Sequence, residues 1–184
     1  MIPGPEERPE ETDMELIERW KRGESRAATR LVGRHSQALA RFAASSGERD
    51  GIEELVQDTF VRAFASLDSF RGESSLRTWL FTIERRLMLD RRRAERRSRE
   101  TVPVEESDNV SEYGALDSLI AEETQERVRR SLAALSPTQR EVFTLRAQQG
   151  LSYKEIAAVV GKSESSIRSL LFRAGTRLRE RIAD

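Results

Sequence analysis

The chain has 184 residues, 35% of them charged and only 6% aromatic, a balance that favours a helical protein over a sheet protein. It holds no cysteine and a single histidine, His35, which excludes a disulfide framework, a thiolate or multi-histidine metal centre, and a thiol nucleophile or cysteine–histidine dyad. Thirty-two basic and thirty-two acidic residues cancel, yet residues 85–99 carry eight arginines against Asp90 and Glu95, while residues 100–126 carry nine acids and no Lys or Arg. Such segregation suggests a basic nucleic-acid surface beside an acidic segment that competes with nucleic acid. No signal peptide or membrane-length apolar run is present, so a cytoplasmic protein without enzymatic activity, metal or cofactor is expected.

Residues 1–12 combine Pro, Gly and Glu and read as a disordered acidic tail. Asp13 is placed to cap a short helix through Arg22, ended by Gly23, with Met14, Ile17 and Trp20 facing inward. A second helix runs from about Glu24 to Ala44, with Leu31, Leu39 and Phe42 as core and His35 as a packed or rim histidine. Residues 53–67 form a third helix whose buried stripe is Val56, Phe60, Ala63, Phe64 and Leu67. Glu53, Glu54, Gln57 and Asp58 make a polar ridge on another side, which by spacing alone reads as wet surface.

Asp68 to Ser75 is a loop rich in turn formers, followed by a helix from about Leu76 to Arg97. Leu76, Leu80, Ile83 and Leu87 mark its apolar stripe. Arg85, Arg92, Arg96 and Arg99 project roughly opposite, with Arg86, Arg93 and Arg97 beside them. Phosphate is the natural partner of such a cationic ridge, with binding that weakens steeply with salt. Residues 100–121 are acidic, hold Pro, Gly and Ser, lack a sustained period, and read as an extended linker.

Order returns near Glu122 with a helix to Leu135, then Ser136-Pro137 open a helix that ends before Gly150. Ser152 caps a helix over Tyr153–Val160, Gly161 stops it, and Ser163 caps a further helix from Glu164. On that last helix Ile167, Leu170, Leu171, Ala174 and Leu178 fall on one side; Ser165, Arg168, Ser169 and Phe172 fall on the other. Hydroxyls, a guanidinium and an aromatic on an outward face suit a major groove, although an ordinary helical hairpin would share the pattern.

Three blocks in order resemble the extracytoplasmic-function (ECF) group of RNA polymerase sigma factors, minimal members of the sigma-70 family with only regions two and four. EELVQDTFVRAF (53–64) is similar to the region-two helix that docks on the clamp of the largest polymerase subunit. DSFRGESSLRTWLFTI, followed by Asp90 and Arg91–Arg93, resembles the element that opens and reads the −10 promoter element. LSPTQREVFTLRAQQGLSYKEIAAVVGKSESSIRSLLFRA resembles region four, the reader of the −35 element.

The resemblance implies an all-α fold of two small helical domains joined by an extended acidic linker. The implied divisions are a tail at 1–12, region two at 13–98, the linker at 99–121 and region four at 122–184. Polymerase binding then falls to Glu53, Glu54, Leu55, Gln57, Asp58 and Phe60. The −10 set comprises Phe70, Arg71, Gly72, Glu73, Ser74, Ser75, Arg77, Trp79, Arg85, Arg86, Arg92 and Arg93, with the loop taking a flipped base; Trp79 reads by spacing as core and by resemblance as a stacking platform. The −35 set comprises Lys162, Ser163, Ser165, Ser166, Arg168, Ser169, Phe172 and Arg173. Implied partners are core RNA polymerase, through its clamp and flap regions, promoter DNA and an anti-sigma factor, with no membrane insertion.

The acidic linker would thread the polymerase cleft, with Glu105, Glu106 and Asp108 affecting abortive initiation. The chain departs from the family pattern at Ile83-Glu84-Arg85-Arg86, where many relatives have Ile-Ala-Arg-Asn, and at Leu170, where Arg is frequent. Two readings outside the family remain: a free-standing helix-turn-helix regulator that binds duplex DNA without polymerase, and an adaptor whose basic helix binds RNA or a partner.

Overall fold

The computed structural model describes residues 11–48, 50–101 and 131–183, and among these it contains helices and turns but no strand. The tail to residue 10, most of the linker and the start of the helix expected at Glu122 lie outside the described residues, as does the side chain of Arg99. The helices are α1 (Asp13–Lys21), α2 (Ser25–Ser46), α3 (Ile52–Ala65), α4 (Leu76–Thr101), α5 (Pro137–Ala147), α6 (Tyr153–Val160) and α7 (Glu164–Ala183). A 3-10 turn, Leu67–Ser69, follows α3. The chain divides into two compact units with the boundary between Gln37 and Ala38.

In the first unit the cap of α1 is Thr12 rather than Asp13: its hydroxyl accepts from the Glu15 amide, and the Glu15 carboxylate accepts from the Thr12 amide. Asp13 is thereby released for α2, where it accepts from Arg34 at 2.7 Å and meets His35 Nε2 at 2.9 Å. His35 is buried, as a packed histidine. Leu16 and Ile17 set the inward face of α1, and Met14 lies roughly 110° from its centre. Met14 is therefore exposed, against expectation, while Trp20 is half-buried.

In the second unit Leu39, Phe42 and Ala43 of α2 are buried, and the Phe42 ring meets Phe81 of α4 edge to face at 5.2 Å. The α3 stripe is Ile52, Leu55, Val56, Thr59, Phe60 and Ala63, with Phe64 half-buried and stacked on Phe60. Fully burying one such large apolar side chain is worth about 1.5–3 kcal/mol. Gly51 enters α3 at φ 67°, and a Cβ there would come within 3.3 Å of the Arg91 guanidinium.

α4 packs against both α3 and α6. Its buried surface is accordingly wider than the expected stripe, running from Leu76, Leu80 and Leu87 across Glu84 to Phe81 and Met88, an arc of roughly 140°. Ile83 sits at the edge of that arc, half-buried.

The C-terminal helices begin after a helical stretch at 131–133. Ser136 and Gln139 form a capping box on α5 with Pro137 in its first turn, and Ser152 and Glu155 form another on α6. Arg140 donates to the carbonyls of Leu132, Ala133 and Leu135, closing the end of the preceding stretch. Gly161 ends α6 in the left-handed region at φ 69°, and Ser163 accepts from the Ser166 amide at the start of α7. α7 packs on α5 and α6, with Ile167 and Ala174 fully buried and Leu170, Leu171 and Leu178 half-buried.

Candidate nucleic-acid and polymerase interfaces

The outward face of α7 and the turn before it are bare. Lys162, Ser163, Ser165, Ser166, Arg168, Ser169, Phe172 and Arg173 are all exposed, and Phe172 is 72% exposed. Among the described residues Phe172 is the most exposed of the large apolar side chains, ahead of Val61 and Met14. Arg168 is steadied: its guanidinium lies 5.3 Å from the Tyr153 ring centroid, and Arg146 lies 5.1 Å from the same centroid. Tyr153 is absent from the expected −35 set. Its place at the start of α6, directly after the Ser152 cap, is the signal that brings it beside α7.

On α3 the polar ridge faces solvent, with Glu53, Glu54 and Gln57 exposed and Asp58 half-buried. Leu55 and Phe60, expected in the same polymerase-binding set, are instead buried in the core. Arg91 lies beside this ridge and pairs with Glu54 at 3.5 Å and Asp58 at 3.3 Å while donating to the Gly51 carbonyl.

The loop between α3 and α4 is closed by Phe70, whose ring lies 5.0 Å from Trp79 at an interplanar angle of 41°. Trp79 is half-buried, between the two roles that spacing and resemblance offer it. Arg71, Gly72, Glu73 and Ser75 are exposed and Ser74 half-buried. Ser75 caps α4 by accepting from the Thr78 amide at 3.1 Å.

The arginines of α4 do not form one free ridge. Arg85 donates to Glu141 of α5 at 2.9 Å, and both side chains are largely buried. Arg92 is bound by Glu48 at 2.9 Å, by Glu141 at 3.4 Å and by the Ser46 carbonyl at 2.8 Å. Arg77 donates to Gln149 at 2.5 Å, and Thr78 donates to Glu155 of α6 at 3.0 Å. Contrary to expectation, then, Arg85 and Arg92 do not stand opposite the buried surface, because the second packing face of α4 reaches round to them. Arg86 and Arg93 are exposed, Arg93 with Asp90 at 3.4 Å, and Arg96 is exposed further along.

Glu84 lies inside this packing, fully buried, with neither carboxylate oxygen hydrogen-bonded. Burial, and then the charge of Glu48, push its carboxyl well above the ordinary value. Ser46 Oγ, Thr144 Oγ1 and Gln149 Nε2 are also buried without partners. Glu155 behaves oppositely, its carboxyl held below the ordinary range first by the Ser152 amide and then by the Ser152 hydroxyl.

A helical bundle with an acidic ridge and a basic helix, followed by a helix-turn-helix with a bare outer face, is an arrangement suited to DNA. Residues 31–98 match the profile of sigma-70 region 2, and residues 125–178 match that of sigma-70, region 4. The chain is 33% identical over 172 residues to the ECF RNA polymerase sigma-E factors of Salmonella typhimurium and Escherichia coli, covering 89% of this chain and 90% of theirs. The Haemophilus influenzae sigma-E factor is 29% identical over 180 residues, covering 93% of this chain and 95% of its own.

Two solved structures are also similar. The sigma factor RpoE in complex with the anti-sigma factor NepR from Bartonella quintana has a TM-score of 0.67 and 33% identity, over 84% of this chain and 96% of that one. CnrH in complex with the cytosolic domain of CnrY has a TM-score of 0.68 and 31% identity, over 94% and 98%. The chain belongs to the ECF group of the sigma-70 family. It is a promoter-specificity factor for RNA polymerase and not an enzyme. Among the described residues no helix is long and apolar enough to cross a membrane.

Proposed function

We propose that the family's activity is divided along this chain by surface. Glu53, Glu54, Gln57 and Asp58 on α3 meet basic residues of the polymerase clamp. The loop from Phe70 to Ser75 takes a base flipped from the non-template strand of the −10 element, and the α4 arginines follow the phosphates of that strand. The outer face of α7 enters the major groove at the −35 element, Arg168 and Ser169 addressing base edges and phosphates, Phe172 a thymine methyl. Region two spans 13–98 and region four 122–184, and the acidic segment 99–121 between them occupies the nucleic-acid channel until growing RNA displaces it.

The observation that carries this reading is the bare recognition face of α7 on a helix-turn-helix that is capped at both helix starts. The similar sigma factor RpoE is bound to an anti-sigma factor, and an inhibitor of that kind is proposed for this chain. Footprinting on a cognate promoter separates the proposal from a free-standing regulator. Protection of both elements only when core polymerase is added supports it; protection of duplex DNA by the protein alone contradicts it.

A further inference from the structure

The face of α4 turned toward the C-terminal helices is poorly explained by packing alone. An interface built for permanence buries apolar groups and satisfies its polar ones. This one is held by Arg77–Gln149, Thr78–Glu155, Arg85–Glu141 and Arg92–Glu141, with Ser45 bonded to Gln148 at its margin. It also leaves Glu84, Ser46, Thr144 and Gln149 with buried unsatisfied atoms, each of which water would satisfy on opening. Arg140 lies near Arg92, a like charge in the same packing that disfavours closure.

At the centre is Glu141. It is 2% exposed, and its two oxygens are divided between Arg85 and Arg92, the geometry with which two arginines would otherwise hold phosphate oxygens. We propose that Glu141 is an internal stand-in for promoter phosphate: it occupies Arg85 and Arg92 in the closed chain, and single-stranded DNA must displace it. The inference rests on the assignment of the α4 arginines to the −10 strand. Its consequence is that Arg85 and Arg92 are withheld from DNA in the free protein, while Arg86 and Arg93 stay exposed.

The probe is a fluorescein-labelled 12-nucleotide oligothymidine, titrated with the full chain at low salt. Glu141→Gln keeps the volume and removes the competing charge. Its expected effect is roughly tenfold tighter binding, the value of one charge-assisted hydrogen bond, and no gain in the Arg85→Ala/Arg92→Ala background. Unchanged binding by Glu141→Gln overturns the proposal, and so does an equal gain in the arginine-less background.

A second arm does not depend on how Glu141→Gln folds. The chain has no cysteine, so Ser45→Cys/Gln148→Cys supplies a unique pair for a short, reducible thiol crosslinker. The crosslinked chain should bind the oligonucleotide at least tenfold more weakly and recover on reduction; equal binding before and after reduction overturns the proposal. Run-off transcription by the unaltered protein is independent of both arms. Its failure alongside a positive Glu141→Gln result removes the promoter assignment and leaves the internal competition standing.

Discussion

The ring of Phe70 rests against that of Trp79, 5.0 Å between centroids, so the end of the 3-10 turn and the first turns of α4 hold the intervening loop between them. That contact gives Arg71 to Ser75 a fixed frame in which all but the half-buried Ser74 stay exposed. An aromatic pair of this kind contributes about 0.5–1.5 kcal/mol beyond its buried area.

Trp79→Ala should therefore reduce open-complex formation by roughly five- to tenfold, the equivalent of about 1 kcal/mol, while comigration with core polymerase is retained. Permanganate reactivity of the −10 strand measures the first and gel filtration the second. Equal loss of both would place Trp79 in general folding rather than in the loop.

Phe172→Ala should leave thermal stability unchanged, since the ring is 72% exposed. Transcription from a promoter with a −35 element should fall several-fold, the equivalent of about 1 kcal/mol for one lost apolar contact with a thymine methyl. A promoter whose −35 element has been scrambled should show no difference between the two proteins.

Glu84→Met should stabilise the protein. A buried, unpartnered carboxyl costs on the order of 1–3 kcal/mol, and an apolar side chain of similar length removes that cost. The sign of the pH effect follows from the raised carboxyl. The unfolded chain loses the proton near the ordinary 4.5 while the folded chain keeps it, so wild-type stability declines as pH rises above 4.5 toward the folded value. The advantage of Glu84→Met should accordingly be larger at pH 7 than at pH 4 in urea unfolding.

Ser152→Ala should cost about 1 kcal/mol at neutral pH by removing the α6 cap. Glu155 answers to the same cap, and its carboxyl is lowered, so its contribution is present above 4.5 and is lost as pH falls through the folded value. The penalty of Ser152→Ala should shrink in acid, which thermal melts at pH 7 and pH 3 would test.

Much of this protein is legible in the sequence because its helices announce their own ends. Ser136-Pro137, Ser152 and Gly161 are local signals, read by the backbone within a turn, and the helices stand where those residues put them. The outward residues of α7 are legible for a related reason: one amphipathic period separates Ile167 and Ala174 from Arg168 and Phe172. The cap of α1 is not, because Thr12 and Asp13 are both good caps and the choice depends on Arg34 and His35 twenty residues away.

The second face of α4 is equally hidden. Period alone identifies Leu80 and Leu87 as buried, but Arg85 reads as part of an outward cationic ridge until α5 brings Glu141 against it. Glu141 itself stands one residue before Val142 and four before Leu145, and a charge within an apolar stripe is the available hint.

Run-off transcription with bacterial core polymerase on a pool of promoter fragments tests the central claim most directly. New, discrete transcripts that require this protein, with start sites that align on shared −10 and −35 elements, are the expected result. No added transcripts and no association with core polymerase, together with a footprint by the protein alone, would contradict the account.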